Sequence, residues 1–176
     1  MHLGKHIVIT GPESSGKTTL ASSLSSEWGG HLVAEYARDY LKEYAGNYVR
    51  RDLLNIAQIQ EIRIKQAIER HADQSIICDT DLLTLHIWWQ VKYGELNEGL
   101  YSSWRQFLPA FYLVCAPDIP WEEDPLREHP DTREHLLLLH LNEIKKARVP
   151  YKIIRGSRQQ RTLRAMEAVK DILLNA

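Results

Sequence analysis

The chain alternates between short, continuously apolar runs and longer stretches in which apolar residues recur every three or four positions. The short runs, at 6–10, 31–34, 75–78, 111–115 and 151–154, predict five strands. Their apolar residues run on without a polar alternate, so each strand is expected to be covered on both faces, as in a parallel sheet. Residues 17–28, 36–44, 51–72, 82–93, 100–108, 132–148 and 159–174 predict helices. Gly29-Gly30, Gly46-Asn47, Gly94 and Pro109 supply the stops. On the long helix at 51–72, Leu54, Ala57, Ile59, Ile62, Ile64 and Ile68 read as the apolar stripe. Strand and helix alternate throughout. That order predicts an α/β protein of three layers, a five-stranded parallel sheet with helices on both faces. Ligands of such sheets gather at the carboxyl ends of the strands. The polar residues that follow each strand therefore become the candidates for chemistry.

The first strand runs straight into Gly11-Pro12-Glu13-Ser14-Ser15-Gly16-Lys17-Thr18, and a helix follows at once. This is the G-x-x-x-x-G-K-[ST] phosphate-binding loop between a strand and a helix, so the sheet is read as a P-loop NTPase fold. Backbone N–H groups at a helix N-terminus wrap nucleotide phosphates. Gly11, Glu13, Ser14, Ser15, Gly16, Lys17, Thr18 and Thr19 are the expected cradle for ATP. Lys17 reaches for the β- and γ-phosphates, and the Thr18 hydroxyl is a ligand for Mg²⁺.

Asp79 ends the third apolar run and reads as the acid facing that Mg²⁺. The competing reading is a helix cap, for which Asp81 stands closer to the next helix. Glu35 follows the second strand and could orient, or deprotonate, an attacking hydroxyl in line with the γ-phosphate. Arg38 could pair with Glu35 at i, i+3 or grip a substrate. Between 117 and 130 lie Pro117, Pro120, Pro125 and Pro130 among several acids, a loop long enough to suspect function. Arg127 and Arg133 make 117–133 a candidate lid, its arginines placed to neutralise the transferring phosphoryl group. The alternative is a solvated acidic loop. Tyr36, Trp88 and Trp121 could stack on a flat, cationic ring, and Gln58 and Gln60 could read a carboxamide or base edge, with Asp81 a further candidate on the substrate side. Of the adjacent Trp88 and Trp89, one is expected in the core. The turn at 156–158 offers Arg158 to the adenine.

Bulk properties narrow the class. A length of 176 residues suits one domain, read as a single P-loop kinase domain over 1–176. The net charge of −1 supplies no field toward nucleic acid or anionic lipid. Cys78 and Cys115 sit in apolar runs and read as buried reduced thiols, consistent with a cytoplasmic protein. No apolar run reaches the length of a membrane span, and the eight histidines show no zinc spacing. The expected partner is a small nucleoside-type substrate, with neither nucleic acid nor membrane involved. Self-association is compatible with the pattern.

The loop interior Glu13-Ser14-Ser15 stands alongside Glu35-Tyr36-Ala37-Arg38, Cys78-Asp79-Thr80-Asp81 and Asp118-Ile119-Pro120-Trp121 with Asp124 and Leu126-Arg127. Over nearly its whole length the chain resembles the ribosylnicotinamide kinase domain of the bacterial NadR proteins. The resemblance implies a nucleoside-kinase-like fold that uses ATP and Mg²⁺ to phosphorylate the 5′-hydroxyl of nicotinamide riboside, giving nicotinamide mononucleotide. Full-length members carry further domains. This chain starts at the kinase's first strand and is expected to hold the kinase domain alone. It departs from the family at Asp124-Pro125, where an Asp-Gly pair is common, and the proline stiffens that turn. Two other readings stay open: a kinase for another nucleoside or nucleotide, and a P-loop regulatory NTPase.

Overall fold

The computed structural model describes residues 6–43, 47–124 and 130–174. Five strands, β1 (His6–Thr10), β2 (His31–Val33), β3 (Ile76–Asp79), β4 (Phe111–Cys115) and β5 (Tyr151–Ile154), form one parallel sheet in the order β2-β3-β1-β4-β5. The helices are α1 (Lys17–Trp28), α2 (Tyr36–Glu43), α3 (Arg50–Arg70), α4 (Leu82–Tyr93), α5 (Glu98–Gln106), α6 (Arg133–Ala147) and α7 (Arg158–Leu174). β1 is central. From β1 the chain runs out to the edge strand β2, returns to lay β3 between β2 and β1, then crosses to β4 and β5 on the other side. A crevice opens at that crossing, above the carboxyl end of β1.

Alternate side chains of each strand feed two cores. Ile7, Ile9, Ile77, Leu113 and Cys115 pack with Leu20, Ala21 and Leu24 of α1 and with Ala165, Ala168 and Val169 of α7. Val8, Cys78, Tyr112 and Val114 point the other way, into a larger core supplied by α2 to α6. Both cysteines are buried and free, and burial pushes the Cys115 thiol up to about 11.

Two differences from the sequence reading have local causes. Helix α5 begins at Glu98 rather than 100, because the Asn97 side chain accepts the Leu100 N–H at 2.9 Å and caps the helix earlier. On α3 the buried face is Leu53, Ile56, Ala57, Gln60, Ile64 and Ala67, whereas Leu54, Ile59 and Ile62 are exposed. The expected stripe had mixed two faces. The buried register follows i, i+3, i+4, i+7, but it passes through a glutamine, and a search for apolar residues skips that position.

One buried network fixes where α4 starts. The Asp81 carboxylate caps α4 by accepting the Leu83 N–H at 3.0 Å and also accepts the Tyr112 hydroxyl at 2.5 Å. Trp104 of α5 donates its indole N–H to the same hydroxyl at 2.9 Å. Trp104 and Tyr112 are fully buried, so α5, β4 and α4 are tied at one point.

Candidate active site

The loop between β1 and α1 is shaped by its glycines and by close backbone packing. At Gly11 (φ 135°) a Cβ would lie 2.4 Å from the Cys115 carbonyl oxygen of β4, so no side chain fits. Gly16 is left-handed at φ 80° and turns the chain into α1. Ser15 Oγ and Lys17 Nζ both donate to the Pro12 carbonyl, at 2.7 and 2.8 Å.

Asp79, at the end of β3, is buried and faces the start of α1. Its carboxyl is raised by burial and partly restored by a hydrogen bond from Thr18 and by the charges of Lys17 and Arg38. The next residue, Thr80, holds the unusual φ of 71° and donates its N–H to the Ile9 carbonyl at 2.9 Å. This sharp turn leaves Asp79 beside the loop and sends Asp81 into the core. Glu35, just beyond β2, also has a raised carboxyl. Withdrawal from water raises it most, Lys17 and Arg38 oppose the rise, and Asp79 and Glu13 add to it. Two carboxylates and one lysine thus share a small region at the foot of the crevice.

Asp79 Oδ1 has no hydrogen-bond partner among the described residues. An orphaned carboxylate oxygen beside a threonine hydroxyl fits a hard, oxygen-seeking cation. Thr18 and Asp79 would hold Mg²⁺, whose charge would offset that of nucleotide phosphates cradled by residues 11–18.

The crevice widens into a cleft of about 380 Å³ that runs from the loop to a largely apolar wall. Helix α4 supplies Thr84, Ile87, Trp88 and Val91, one face at i, i+3, i+4 and i+7. Thr84 hydrogen-bonds Thr10 at the end of β1 (3.1 Å), and Val91 lies about 10 Å further along the helix. Ala37, Arg38 and Leu41 of α2 face this wall, with Leu136 and His140 of α6. Trp88 is half-buried and donates its indole N–H to the Tyr48 hydroxyl at 2.7 Å, whereas its neighbour Trp89 lies in the core.

The segment after β4 is pinned onto the loop. Arg133 donates to the carbonyls of Ser14 (3.2 Å) and Ile119 (3.0 Å), with its guanidinium 5.7 Å from the Trp121 ring. The Glu122 N–H donates to Ser14 Oγ at 3.0 Å. Arg38 reaches across to Asp124 at 3.3 Å. Arg133 therefore braces the loop's outer side. Arg127 lies outside the described residues.

Of the residues expected at the site, 11 and 13–19 of the loop, Glu35, Arg38 and Trp88 line the cleft, with Asp79 at its foot. Six others do not line it, Arg133 with its contacts given above among them. Asp81 is the buried cap of α4. The Tyr36 ring packs under Arg63 at 4.4 Å, and Trp121 packs against Arg133. Gln60 is spent on backbone groups, accepting the Tyr36 N–H at 2.8 Å. Arg158 is exposed at the start of α7. One turn on, Arg161 is buried and was missed. It donates to the carbonyls of Gly156 (2.7 Å), Ser15 (2.8 Å) and Ala116 (3.0 Å) and pairs with Asp118. Asp118 in turn accepts the Gly156 N–H at 2.7 Å. No local signal marks Arg161, because Ser15, Ala116 and Asp118 come from two loops distant in sequence.

A family profile described as AAA domain matches residues 6–161, from β1 through the loop to Arg161. The chain belongs to the AAA domain family. Among solved structures, this AAA domain is similar to the NadR protein in complex with NR, at 18% identity and a TM-score of 0.76. That alignment covers 98% of this chain and 51% of NadR, so the chain spans about half the length of that relative. It is also similar to deoxyadenosine kinase from M. mycoides with products dCMP and a flexible dCDP bound (15% identity, TM-score 0.68, covering 94% and 99% of the two chains). Thymidylate kinase from Ehrlichia chaffeensis is a third similar structure (16% identity, TM-score 0.65, coverage 94% and 98%). These likenesses establish a P-loop kinase-like fold. No curated protein matches the sequence.

Proposed function

We propose that the chain is an ATP- and Mg²⁺-dependent small-molecule kinase that phosphorylates the 5′-hydroxyl of nicotinamide riboside to give nicotinamide mononucleotide. One observation carries this reading. The phosphate loop opens directly into a cleft walled by Ile87, Trp88, Val91 and Leu41, with Glu35 at the junction. A regulatory NTPase needs the loop but has no use for such an acceptor chamber.

In this reading the ribosyl hydroxyl lies between Glu35 and Lys17. Glu35, its carboxyl raised by burial, orients that hydroxyl and takes its proton as the bond to the γ-phosphorus forms and the bond from that phosphorus to the departing ADP oxygen breaks. Lys17 leaves the Pro12 carbonyl for the phosphoryl oxygens and offsets their charge. The Trp88 ring face offers an electron-rich surface to a cationic pyridinium. Residues 117–133, of which 125–129 lie outside the described residues, are proposed as the lid of a single domain. The likeness to NadR with bound NR supports the substrate, and the likeness to deoxyadenosine kinase keeps other nucleosides as the second reading.

The test is ADP release with ATP and Mg²⁺ across nicotinamide riboside, the common ribo- and deoxyribonucleosides, and their monophosphates. Nicotinamide riboside is expected to give the highest kcat/KM. Preference for another nucleoside would reassign the acceptor. Hydrolysis indifferent to every acceptor would end the kinase reading.

A further inference from the structure

His140 lines the cleft from α6, yet the chemistry above leaves it unused. Its Nδ1 lies 2.8 Å from the Leu136 carbonyl one turn back on the same helix. That contact places the proton on Nδ1 and leaves Nε2 as a lone-pair acceptor. The residue is only 2% exposed, and Nε2 has no hydrogen-bond partner among the described residues. Buried acceptors in folded proteins are paired in the great majority of cases, so an orphan on a cleft wall points to a donor brought by a ligand. Because Nδ1 turns back to its own helix, the opposite ring edge faces away from α6.

Position selects the kind of donor. His140 and Leu136 of α6 line the cleft together with the phosphate loop, residues 11–19. The far end, at Leu41, Trp88 and Val91, is suited to the flat faces of a base. Between the reacting hydroxyl and the base lies the sugar. We infer, resting on the kinase reading above, that His140 is a specificity-determining residue whose Nε2 accepts a hydrogen bond from a second sugar hydroxyl of the acceptor. The pairing distinguishes ribosyl acceptors from those lacking that hydroxyl.

The experiment uses ribonucleosides and their 2′- and 3′-deoxy forms with the wild-type protein, His140→Phe and His140→Gln. Binding is read by calorimetry and turnover by ADP release. The wild type is expected to favour the ribonucleoside over one deoxy form by about 10- to 100-fold, the cost of leaving one buried acceptor unpaired. That factor should fall to near one in His140→Phe and recover in part in His140→Gln, which keeps an acceptor. In the wild type, the ¹⁵N signal of Nε2 should move on binding the ribonucleoside and not the discriminated deoxy form. Equal discrimination in the wild type and His140→Phe overturns the inference. So does an unmoved Nε2 signal, or discrimination that follows ring substituents instead of the sugar. Ribose-selective binding without ADP release would sink the kinase reading and leave the His140 contact standing. Failure of every nucleoside to bind would overturn both.

Discussion

Gln60 brackets Glu35 from both sides. Its side-chain oxygen accepts the Tyr36 N–H at 2.8 Å, and its amide nitrogen donates a long hydrogen bond of 3.5 Å to the Ala34 carbonyl. The peptide groups before and after the carboxylate are thus fixed by one buried residue of α3. If Glu35 is the base of the proposed kinase, Gln60 is the residue that positions it.

Gln60→Leu keeps the volume and removes the bracket. It is expected to lower kcat by about 10- to 100-fold with little change in KM, because a small displacement of a reacting group is costly. Stability should fall by about 1–3 kcal/mol from the unpaired backbone groups. Steady-state kinetics and a denaturant titration separate the two effects. Gln60→Glu, which keeps the acceptor for Tyr36, should recover part of kcat. A variant that loses stability with wild-type kcat would make the bracket purely structural.

Lys17→Ala should cut phosphoryl transfer by about 10²–10³-fold, the cost of removing one donor from a developing anion. Its circular dichroism spectrum should match the wild type, since Lys17 is partly exposed and its ammonium, among the described residues, hydrogen-bonds a carbonyl of its own loop. Wild-type turnover in this variant would exclude the loop from the chemistry.

Arg161→Met should act on the nucleotide side. The guanidinium ties the Ser15 carbonyl of the loop to Ala116, Gly156 and Asp118, so its loss loosens the cradle. We expect a rise in KM for ATP that exceeds any fall in kcat, and a stability loss of about 2–3 kcal/mol for a partly buried ion pair. Thermal melts and ATP titrations check this. An unchanged KM for ATP would confine Arg161 to the scaffold.

Acid should destabilise the fold through two histidines. Burial lowers both His6 and His140 from 6.5 to about 4. Each stays neutral in the folded chain, while the unfolded chain takes up protons below 6.5. The unfolded state therefore binds more protons in this window, and stability falls as pH drops from 6.5 toward 4. The loss is on the order of 3 kcal/mol per histidine at the low end. Denaturant titrations across this range in the wild type and in the double variant His6→Gln/His140→Gln should show the slope and its flattening. A slope unchanged by the double substitution would place the titration elsewhere.

The sheet was readable from sequence because the strands are short, mostly apolar runs separated by helical periods. The run at Ile76–Cys78 ending on Asp79 names both a strand and a site residue. The loop and Glu35 were visible for the same reason. The acceptor wall was not. Leu41, Ile87, Val91 and Leu136 carry the period of core helices, and nothing in a pattern tells a residue facing a cleft from one facing a neighbour. Gln60 misled in the opposite direction, since a polar residue on an apolar face suggests a ligand when its partner is backbone 24 residues earlier. His140 is equally silent, as its meaning rests on which ring nitrogen the helix already uses.

The hydrogen bond from Lys17 to the Pro12 carbonyl has a thermodynamic consequence. A lysine side chain carries about 2 kcal/mol of rotational entropy. Here much of that freedom is already surrendered on folding, because the ammonium is held by its own loop at 2.8 Å. An arriving phosphate would exchange one oxygen partner for another rather than immobilise a free chain. Affinity at the loop would then be set by the difference between a carbonyl and a phosphate oxygen, with little ordering cost and correspondingly fast capture.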